Sequence, residues 1–408
     1  MKKIIVSLVC LLVFTQAWSQ QALFGGNDLV SPEVKEDGTV TFRLFAPKAV
    51  RVQLTGDFLA KEKVDSPMGP VERDLVVDLQ EGNDGVWTYT TGSLSPELYS
   101  YKFIVDGRDQ LDPSNVYMCR DIATYTNIFI IEKEAGDKGD LYSVNKVPHG
   151  SVSKVWYESP TLKMSRRMTV YTPPGYEKGG RYPVLYLLHG AGGDEEAWAT
   201  LGRASQIMDN LIAMGKAKPM IVVMTNGNTN SEAAPGEGSN GMYKPSFRGH
   251  ATSKPVASME ESFPDVVNYI EKNYRTLKGK KNRAICGLSM GGGHSFSITK
   301  RYPTMFDYVG LFSAAIFMGG NNDPQKNMLE QMNEDATFGK EVAAVFAANP
   351  KLYWIAIGNT DFLFDANTNY RKYLDSKGYR YEYLETDGGH IWRNWRIYLT
   401  LFAEKIFQ

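Results

Sequence analysis

A serine flanked by glycines, Ser289 in the stretch AICGLSMGGG, has the residue types that nucleophilic chemistry needs. Gly287, Ser289 and Gly291 have the G-x-S-x-G spacing of a nucleophile elbow. Such a turn joins a buried strand to a helix, and neighbouring side chains there would collide with the backbone. The N–H groups at the start of the helix can stabilise an oxyanion. The spacing therefore predicts a nucleophilic Ser289, and the alternative is an ordinary loop of small residues.

A catalytic serine needs a base, and the chain contains five histidines. Four of them occupy less suitable positions. His149 lies in a polar segment and His189 ends a strand-like run, whereas His250 lies in an irregular loop and His294 lies on the helix that follows Ser289. His390 follows the strand-like YRYEYLE. Loops at the carboxyl ends of strands in doubly wound sheets converge on one site. We therefore predict His390 as the general base.

A carboxylate is expected to orient His390 and to stabilise its protonated ring. In α/β-hydrolases the chain order is Ser, then Asp or Glu, then His. Asp361 satisfies that order and directly follows the strand-like LYWIAIGNT. Asp365, one helical turn further along, is the alternative carboxylate. A plain helix N-cap is the alternative role for Asp361.

The oxyanion that forms on an attacked carbonyl needs two donors. The first is the backbone N–H of Met290, the residue after the predicted nucleophile. The segment LLHGAGGDEEAW follows another strand-like run, and its glycines let the backbone approach a substrate closely. We predict the N–H of Ala191 as the second donor, and the alternative is a glycine-rich connection without a catalytic role.

The elements that must position these residues fall into two regions. Up to residue 134, the runs TVTFRLFAP, VRVQLTG, VWTYTTG, LYSYKFIVDG and TNIFIIE have strand patterns and are separated by Asp-Gly and Asn-Asp-Gly turn signals. This pattern predicts a β-sandwich over residues 20–134. Residues 135–153 are polar and contain glycine, which predicts a linker.

From residue 154 to 408, near-continuous apolar runs alternate with amphipathic stretches. The runs YPVLYLLHG, PMIVVMTNG, RAICGLS, YVGLFSAA and LYWIAIG are typical of a mostly parallel sheet covered by helices on both faces. EEAWATLGRASQIMDNLIAMG and SMEESFPDVVNYIEKNY have helical spacing. In the second of these helices, the predicted inward stripe is Phe263, Val266, Val267 and Ile270. We predict an α/β domain over residues 154–408.

The first residues are typical of a secretory signal peptide over residues 1–19. Two lysines precede an apolar run from Ile4 to Phe14, and the small residues Ala17 and Ser19 follow. The run is too short to span a bilayer, which needs about 20 apolar residues, and no later segment is apolar enough. The mature chain is therefore expected to be exported and soluble, in the periplasm or outside the cell.

The composition excludes some functions. A formal net charge of −1 offers no electrostatic basis for binding nucleic acid or a membrane surface. The mature chain retains Cys119 and Cys286, which lie far apart and do not form a disulfide framework. Stability is therefore expected to come from packed cores.

The motifs YPVLYLLHGAGGDEEAW, ICGLSMGGGHSF, IGNTDFL and GGHIWRNWR resemble the esterase-D-type α/β-hydrolases of carbohydrate esterase family 1, which includes feruloyl and acetylxylan esterases. This resemblance implies an α/β-hydrolase fold over residues 154–408 and a Ser289, His390 and Asp361 triad. It also implies no metal and no organic cofactor.

The region before residue 134 resembles a second family, the early-set immunoglobulin-like domains related to carbohydrate-binding module family 48. TVTFRLFAPKAVRVQLTGDF, GVWTYTTGSL and YSYKFIVDG carry this similarity. Four aromatic residues of the region alternate along predicted strands: Trp87, Tyr89, Tyr99 and Tyr101. They form either a stacking platform for sugar or part of the core, and alternating positions favour the core.

A long segment over residues 226–261 is rich in Gly, Ser, Asn and Pro and has the length of a binding loop. Three residues of this segment, Met242, Tyr243 and Phe247, are candidates for the wall of a pocket that binds a phenolic acyl group. Trp198 and Trp392, outside the segment, are further candidates for the same wall. The alternative is a flexible surface insertion.

These observations favour an exported serine esterase, foremost a feruloyl esterase that acts on feruloylated or acetylated xylan. The alternatives are an acetylxylan esterase, an enterochelin-type siderophore esterase and a carbohydrate-binding protein without catalysis. The expected partner is a polysaccharide or oligosaccharide ester, and the sequence does not decide the oligomeric state.

Overall fold

The computed structural model describes residues 29–65, 71–238, 256–316 and 326–408. The signal peptide predicted over residues 1–19 lies outside these ranges. Among the described residues, no helix has the length and the apolar content needed to cross a membrane. Cys119 and Cys286 are both buried free thiols.

The region before residue 134 is all β, which confirms the predicted fold class. Its strands are β1 (Glu33–Val34), β2 (Val40–Phe45), β3 (Val52–Gly56), β4 (Lys61–Val64), β5 (Val71–Asp74), β6 (Val76–Asp78), β7 (Gln80–Glu81), β8 (Val86–Thr90), β9 (Glu97–Val105), β10 (Arg108–Gln110), β11 (Met118–Asp121) and β12 (Thr124–Ile131). The sheet orders are β1-β2-β8-β7, then β11-β12-β9-β3-β6 with β10 beside β9, and a β4-β5 pair. The predicted turn glycines Gly38, Gly85 and Gly107 have φ values of 81°, 76° and 80°, which glycine adopts without strain.

Three of the four alternating aromatic residues considered for a sugar platform belong to the core of this region. Trp87, Tyr99 and Tyr101 are buried, and Tyr89 is partly exposed. The Tyr99 ring stacks on Phe129 with centroids 5.4 Å apart. Packing therefore explains the alternating aromatic pattern.

The remaining strands form one eight-stranded sheet, in the order β13-β14-β16-β15-β17-β18-β19-β20. The strands are β13 (Ser151–Ser159), β14 (Met164–Thr172), β15 (Val184–Leu188), β16 (Ile221–Thr225), β17 (Arg283–Leu288), β18 (Tyr308–Phe312), β19 (Leu352–Gly358) and β20 (Glu382–Thr386). β13 and β14 pair antiparallel, and all pairs from β16 to β20 are parallel. This sheet confirms the predicted α/β-hydrolase class.

Helices accompany this sheet along the chain. They are α1 (Lys138–Tyr142), α2 (Ala197–Thr200), α3 (Ala204–Ala213), α4 (Met259–Asn273), α5 (Met290–Arg301), α6 (Met328–Glu334), α7 (Ala336–Ala347), α8 (Phe364–Ser376) and α9 (Trp392–Lys405). Residues of β15 alternate between two hydrophobic clusters, with Leu185 and Leu187 in one and Val184, Tyr186 and Leu188 in the other. Both faces of the sheet are therefore buried, which is why its strands are continuously apolar.

Helix α4 follows its sequence signals closely. Ser258 and Glu261 form a reciprocal capping box at its start, and the predicted stripe of Phe263, Val266, Val267 and Ile270 is buried. Burial of this stripe orients the helix against the sheet.

The stretch EEAWATLGRASQIMDNLIAMG is two helices, α2 and α3, rather than one. Arg203 lies between them with a left-handed φ of 52°, and its Nε donates to the Tyr142 carbonyl at 2.8 Å. A Cβ at Gly202 would collide with the Trp198 ring. Close packing at this glycine therefore interrupts a pattern that is helical by periodicity alone.

The segment predicted as a linker contains helix α1. Leu141 and Tyr142 of this helix belong to the buried core, and the Asn210 side-chain amide donates to the carbonyls of Asp140, Leu141 and Ser143 at 3.0–3.1 Å. The first strand of the α/β sheet, β13, begins at Ser151, three residues before the predicted boundary at 154. Part of this polar segment is therefore packed.

The chain divides into two compact units that do not coincide with the sequence boundaries. Among the described residues, one unit contains the chain up to Leu54 with Val77–Leu94 and Lys102–Val116, and the other contains residues from Thr55–Val76, Ser95–Tyr101 and Tyr117–Gln408. The second unit includes the α/β sheet together with the β11–β12 hairpin. Its interior holds an ion pair in which Arg396 Nη2 lies 3.1 Å from Glu97 Oε1, with both side chains almost fully buried.

Replacing Glu97 by alanine is expected to lower the free energy of unfolding by about 3–5 kcal/mol, because it leaves a buried guanidinium without its carboxylate. Urea denaturation of the full chain measures this change. Glu382→Ala is the control, since its partner Lys405 is exposed and the pair is expected to contribute less than about 1 kcal/mol. Equal losses in the two variants would contradict a stabilising role for the buried pair.

Candidate active site

Ser289 occupies a strained turn between strand β17 and helix α5. Its φ and ψ are 54° and −116°, a conformation that non-glycine residues rarely adopt. Three backbone hydrogen bonds hold it. The Ser289 N–H donates to the Phe312 carbonyl, and the Ser289 carbonyl accepts from the N–H groups of Gly293 and Ala315, each at 2.9 Å. Neighbouring strand and loop residues thus stabilise the conformation that the G-x-S-x-G spacing predicts.

The glycines of this motif are required by close packing. A Cβ at Gly287 would lie 2.5 Å from the Gly291 backbone. A Cβ at Gly291 would lie 2.5 Å from the carbonyl oxygens of Leu188 and His189. Larger residues would therefore push the turn away from strand β15, and Ser289 would move with it.

His390 and Asp361 are brought together although they are separated in sequence. His390 Nδ1 lies 2.8 Å from Asp361 Oδ2, and the Leu363 N–H donates to Asp361 Oδ1 at 2.9 Å. The Asp361 side chain is fully buried and the His390 side chain is mostly buried. Since Nδ1 faces the carboxylate, Nε2 is the nitrogen left to exchange a proton with substrate or nucleophile.

Aromatic rings pack around the imidazole of His390. The Phe362 ring centroid lies 4.5 Å away and the Trp395 ring lies edge-on at 4.9 Å. Trp395 Nε1 donates to Ser313 Oγ at 3.2 Å, which holds the indole in place. The imidazole is therefore oriented by packing as well as by its hydrogen bond to Asp361.

The other carboxylate and histidine candidates lie elsewhere. Asp365 is exposed in the first turn of α8. His149 Nδ1 lies 3.0 Å from Asp209, and His294 Nδ1 lies 2.7 Å from Glu260, which lowers the pKa of that glutamate to about 2 despite desolvation. His250 lies outside the described residues.

The glycine-rich loop after β15 is braced by His189. His189 Nδ1 contacts the Gly190 carbonyl at 2.7 Å, and the Gly227 N–H donates to Nε2 at 2.7 Å. The ring is therefore a neutral tautomer with its proton on Nδ1. Burial lowers the pKa of His189 to about 4, outweighing the hydrogen bond to Gly190, which raises it. This histidine links two strand-end loops.

A cavity of about 480 Å³ connects these parts. Ser289 and His390 both line it, as do Gly190 and Ala191 of the glycine-rich loop. Met290, whose N–H is the other predicted donor, is the first residue of helix α5. The nucleophile, base and oxyanion assignments remain predictions, and the geometry is compatible with acyl transfer.

The predicted pocket residues have different positions. Trp392 lines the cavity, and its ring lies 5.3 Å from Trp198. Trp198 is almost fully buried, and its Nε1 donates to the Leu188 carbonyl at 2.9 Å, so this indole belongs to the core beneath the cavity. The other three candidates lie outside the described residues: Met242, Tyr243 and Phe247.

One wall of the cavity is not predicted by the sequence. It consists of residues of the β11–β12 hairpin: Met118, Cys119, Arg120, Asp121, Ile122 and Tyr125. No short catalytic motif marks these residues. The available signal is a Met and a Tyr just before the predicted strand TNIFIIE, at positions that the structure leaves exposed and where polar residues are the usual outward choice.

The wall formed by Ala234, Pro235 and Glu237 is held by a cluster of ion pairs around Arg167. Arg167 bonds Glu195 and Glu196 at 2.8 Å each and Glu237 at 2.6 Å. The fully buried Glu195 also accepts the Ala234 N–H at 2.8 Å. Buried charges are thereby satisfied, and the segment after β16 is fixed beside the cavity.

Gly291→Ala is expected to reduce the rate at which a fluorophosphonate labels Ser289 by at least about 100-fold, because a Cβ there displaces the nucleophile turn. Labelling kinetics on folded protein measure this effect. Gly339→Ala in helix α7 is the matched control, since its Cβ would meet only Tyr373 Oη at 3.4 Å. Unchanged labelling of Gly291→Ala would show that the turn tolerates a side chain.

His189→Gln is expected to change how stability depends on pH. With a folded pKa of about 4 against about 6.5 unfolded, the wild type has full stability above pH 6.5 and loses about 3 kcal/mol as pH falls toward 4, because the unfolded state binds the proton first. The glutamine variant lacks this group and should show a shallower decline. Urea titrations at pH 7, 6 and 5 test this, and parallel declines would contradict it.

Comparison with known proteins agrees with this architecture. The Esterase family model matches residues 159–406, and that of carbohydrate-binding module 48 (isoamylase N-terminal domain) matches residues 30–118. An endo-1,4-beta-xylanase/feruloyl esterase of Xylanibacter ruminicola is 35% identical over 296 residues, covering 70% of this chain and 36% of the relative. An esterase of Mycobacterium tuberculosis is 25% identical over 283 residues, covering 59% and 56%. The chain thus spans about a third to about half of these relatives.

Solved structures with this fold include a ferulic acid esterase, with a TM-score of 0.50 and 28% identity, covering 64% of this chain and 99% of that one. The enterobactin esterase of Shigella flexneri has a TM-score of 0.59 at 17% identity, covering 90% of this chain and 92% of that one, and this similarity shows the fold alone. Since the family match extends over more than half of the residues, the chain belongs to the Esterase family of α/β-hydrolases and has an all-β N-terminal domain of the carbohydrate-binding module 48 type.

Proposed function

We propose that this protein is an exported serine esterase that releases ferulate from feruloylated xylan. The observation that carries the proposal is the hydrogen bond between His390 and Asp361 at the cavity that Ser289 also lines. The similarity to an endo-1,4-beta-xylanase/feruloyl esterase supports the substrate class. The predicted signal peptide over residues 1–19 supports export to the periplasm or beyond.

In the acylation step, Ser289 Oγ attacks the ester carbonyl and its proton passes to His390 Nε2. A bond forms between Oγ and the carbonyl carbon, and the carbonyl oxygen becomes an oxyanion held by the N–H groups of Met290 and Ala191. Collapse of this intermediate breaks the bond to the leaving oxygen. His390 returns the proton to that oxygen, so the alcohol leaves neutral.

In the deacylation step, water takes the place of the alcohol. His390 accepts a proton from water as the water oxygen attacks the acyl-enzyme, and the same backbone donors hold the second oxyanion. The Oγ–carbon bond then breaks, and His390 protonates Ser289. The products are the carboxylic acid and the resting enzyme, with Asp361 stabilising the charged imidazole in both steps.

The size and lining of the cavity favour a large acyl ester over a simple acetyl ester. A volume of about 480 Å³ lies within the range of about 300–1,000 Å³ typical of small-molecule pockets. Trp392 and Trp395 supply aromatic surface on the His390 side. An acetyl group has no ring to pack against these two indoles, which is why the feruloyl ester is the preferred substrate in this proposal.

Wild-type enzyme is expected to hydrolyse methyl ferulate with a higher kcat/KM than 4-nitrophenyl acetate or acetylated xylan, and Ser289→Ala should be inactive. Asp361→Asn should lower kcat by about 10⁴-fold, because the imidazole loses its orienting carboxylate. Asp365→Asn is the matched control and should retain wild-type kcat, since Asp365 is exposed on helix α8.

Each outcome decides a different part of the proposal. Acetyl release without ferulate release would make the protein an acetylxylan esterase. A folded wild-type protein that hydrolyses no ester and takes no fluorophosphonate label would exclude serine catalysis.

A further inference from the structure

Apart from its first residue, Met118, the β11–β12 hairpin lies between the two family matches, which cover residues 30–118 and 159–406. Arg120 pairs with Tyr125 across the hairpin, and Met118 precedes Arg120 by two residues. Since strand side chains alternate, Met118, Arg120 and Tyr125 share one face. All three line the cavity that contains Ser289.

An ion pair attaches this face to the glycine-rich loop. Arg120 Nη2 lies 2.5 Å from Oδ2 of the buried Asp194, which follows Gly193 in that loop. Arg120 Nη1 donates to the carbonyl of Ile122 at 2.8 Å. One guanidinium therefore holds the hairpin tip and the predicted oxyanion loop together.

The hairpin tip makes a second, apolar contact with the same loop. Ile122 has a left-handed φ of 52°, which is rare for a β-branched residue. Its side chain packs so closely on Gly192 that a Cβ there would lie 2.9 Å from Ile122 Cγ1. Both contacts fix the hairpin relative to the predicted nucleophile.

The outer part of this wall is apolar and open. Tyr125 is 54% exposed and Met118 is 49% exposed, whereas Trp395 on the His390 side is only 6% exposed. An exposed aromatic face at the mouth of a pocket suits a ligand that is itself partly hydrated and has C–H surface to stack. A sugar ring has this chemistry.

Asp121 adds a hydrogen-bond acceptor at the hairpin tip. It lines the cavity, and the Trp392 side chain hydrogen-bonds its carboxylate. Desolvation raises the pKa of Asp121, although this hydrogen bond and the charge of Arg120 act in the opposite direction. Carboxylate oxygens that keep capacity for further donors are suited to bind hydroxyl groups.

We propose that Met118 and Tyr125 on this face of the hairpin, together with Asp121 at its tip, bind the sugar unit that carries the ester. Tyr125 stacks on the ring, Met118 extends the apolar surface, and Asp121 accepts hydrogen bonds from its hydroxyls. This inference rests on the proposed esterase function and assigns the leaving-alcohol side of the site to the hairpin.

The open position of this surface is the reason for assigning it to the sugar rather than to the acyl group. A feruloyl group is a chain end and can be enclosed, whereas a sugar within a polysaccharide must continue into solvent on the side where it binds. The exposed wall therefore fits the polymer, and the enclosed wall near Trp395 fits the acyl group.

The test compares kcat/KM for a feruloylated arabinoxylo-oligosaccharide with kcat/KM for methyl ferulate, which has the same acyl group without the sugar. The ratio of the two is expected to fall about 5- to 10-fold in Tyr125→Ala and about 10-fold or more in Asp121→Ala. Tyr125→Phe keeps the ring and should retain the ratio. Tyr117→Ala is the control, because Tyr117 is also exposed but is not among the cavity-lining residues.

Two results would overturn the assignment. An unchanged ratio in both Tyr125→Ala and Asp121→Ala would remove the hairpin from sugar binding. An equal loss on both ferulate esters, together with an altered preference for ferulate over acetate, would place the hairpin on the acyl side instead.

A binding measurement separates this inference from the proposed catalysis. Ser289→Ala protein is titrated with the feruloylated oligosaccharide, with and without Tyr125→Ala, and Kd is expected to weaken about 5- to 10-fold. If the wild type hydrolyses no ester, the proposed function fails and this titration still decides the sugar site. Equal Kd values, or no binding by Ser289→Ala, would overturn the hairpin assignment.

Discussion

The backbone conformation of Ser289 is the constraint on which the rest of the site depends. A φ of 54° is stable only while strand β18 and the start of helix α5 satisfy its N–H and carbonyl groups. The turn also needs Gly287 and Gly291 to pack against backbone without side chains. Strain at the proposed nucleophile is therefore offset by the parallel sheet, whose strand ends fix the surrounding backbone.

Buried polar contacts fix the positions of the loops around the cavity relative to the sheet. Neutral His189 joins the glycine-rich loop to Gly227, and Arg167 joins the segment after β16 to Glu195. Each group would be costly to bury alone, and each has hydrogen-bond partners from more than one loop. The cavity walls are thus held by satisfied polar groups, which keep geometry more strictly than apolar packing alone.

A buried polar contact also holds the β11–β12 hairpin at the cavity. The Arg120–Asp194 pair and the contact of Ile122 with Gly192 place six residues of this hairpin in the cavity wall. The proposed activity on a feruloylated polysaccharide needs separate surfaces for the acyl group and the sugar. The proposed sugar surface and the proposed nucleophile therefore come from different parts of the chain, the β11–β12 hairpin and the turn before helix α5.

The sequence by itself predicted an α/β domain and the proposed catalytic residues, because glycine spacing and apolar runs are local signals, and the resemblance of four motifs in chain order implied the α/β-hydrolase class. It also pointed to Asp361 over Asp365 as the partner of His390. Only the tertiary structure decided that the Trp198 side chain belongs to the core and that the helical pattern around it is divided at Arg203 into α2 and α3. It also decided that the β11–β12 hairpin lines the cavity. These outcomes depend on contacts between residues far apart in the chain, and periodicity and propensity carry no information about such contacts.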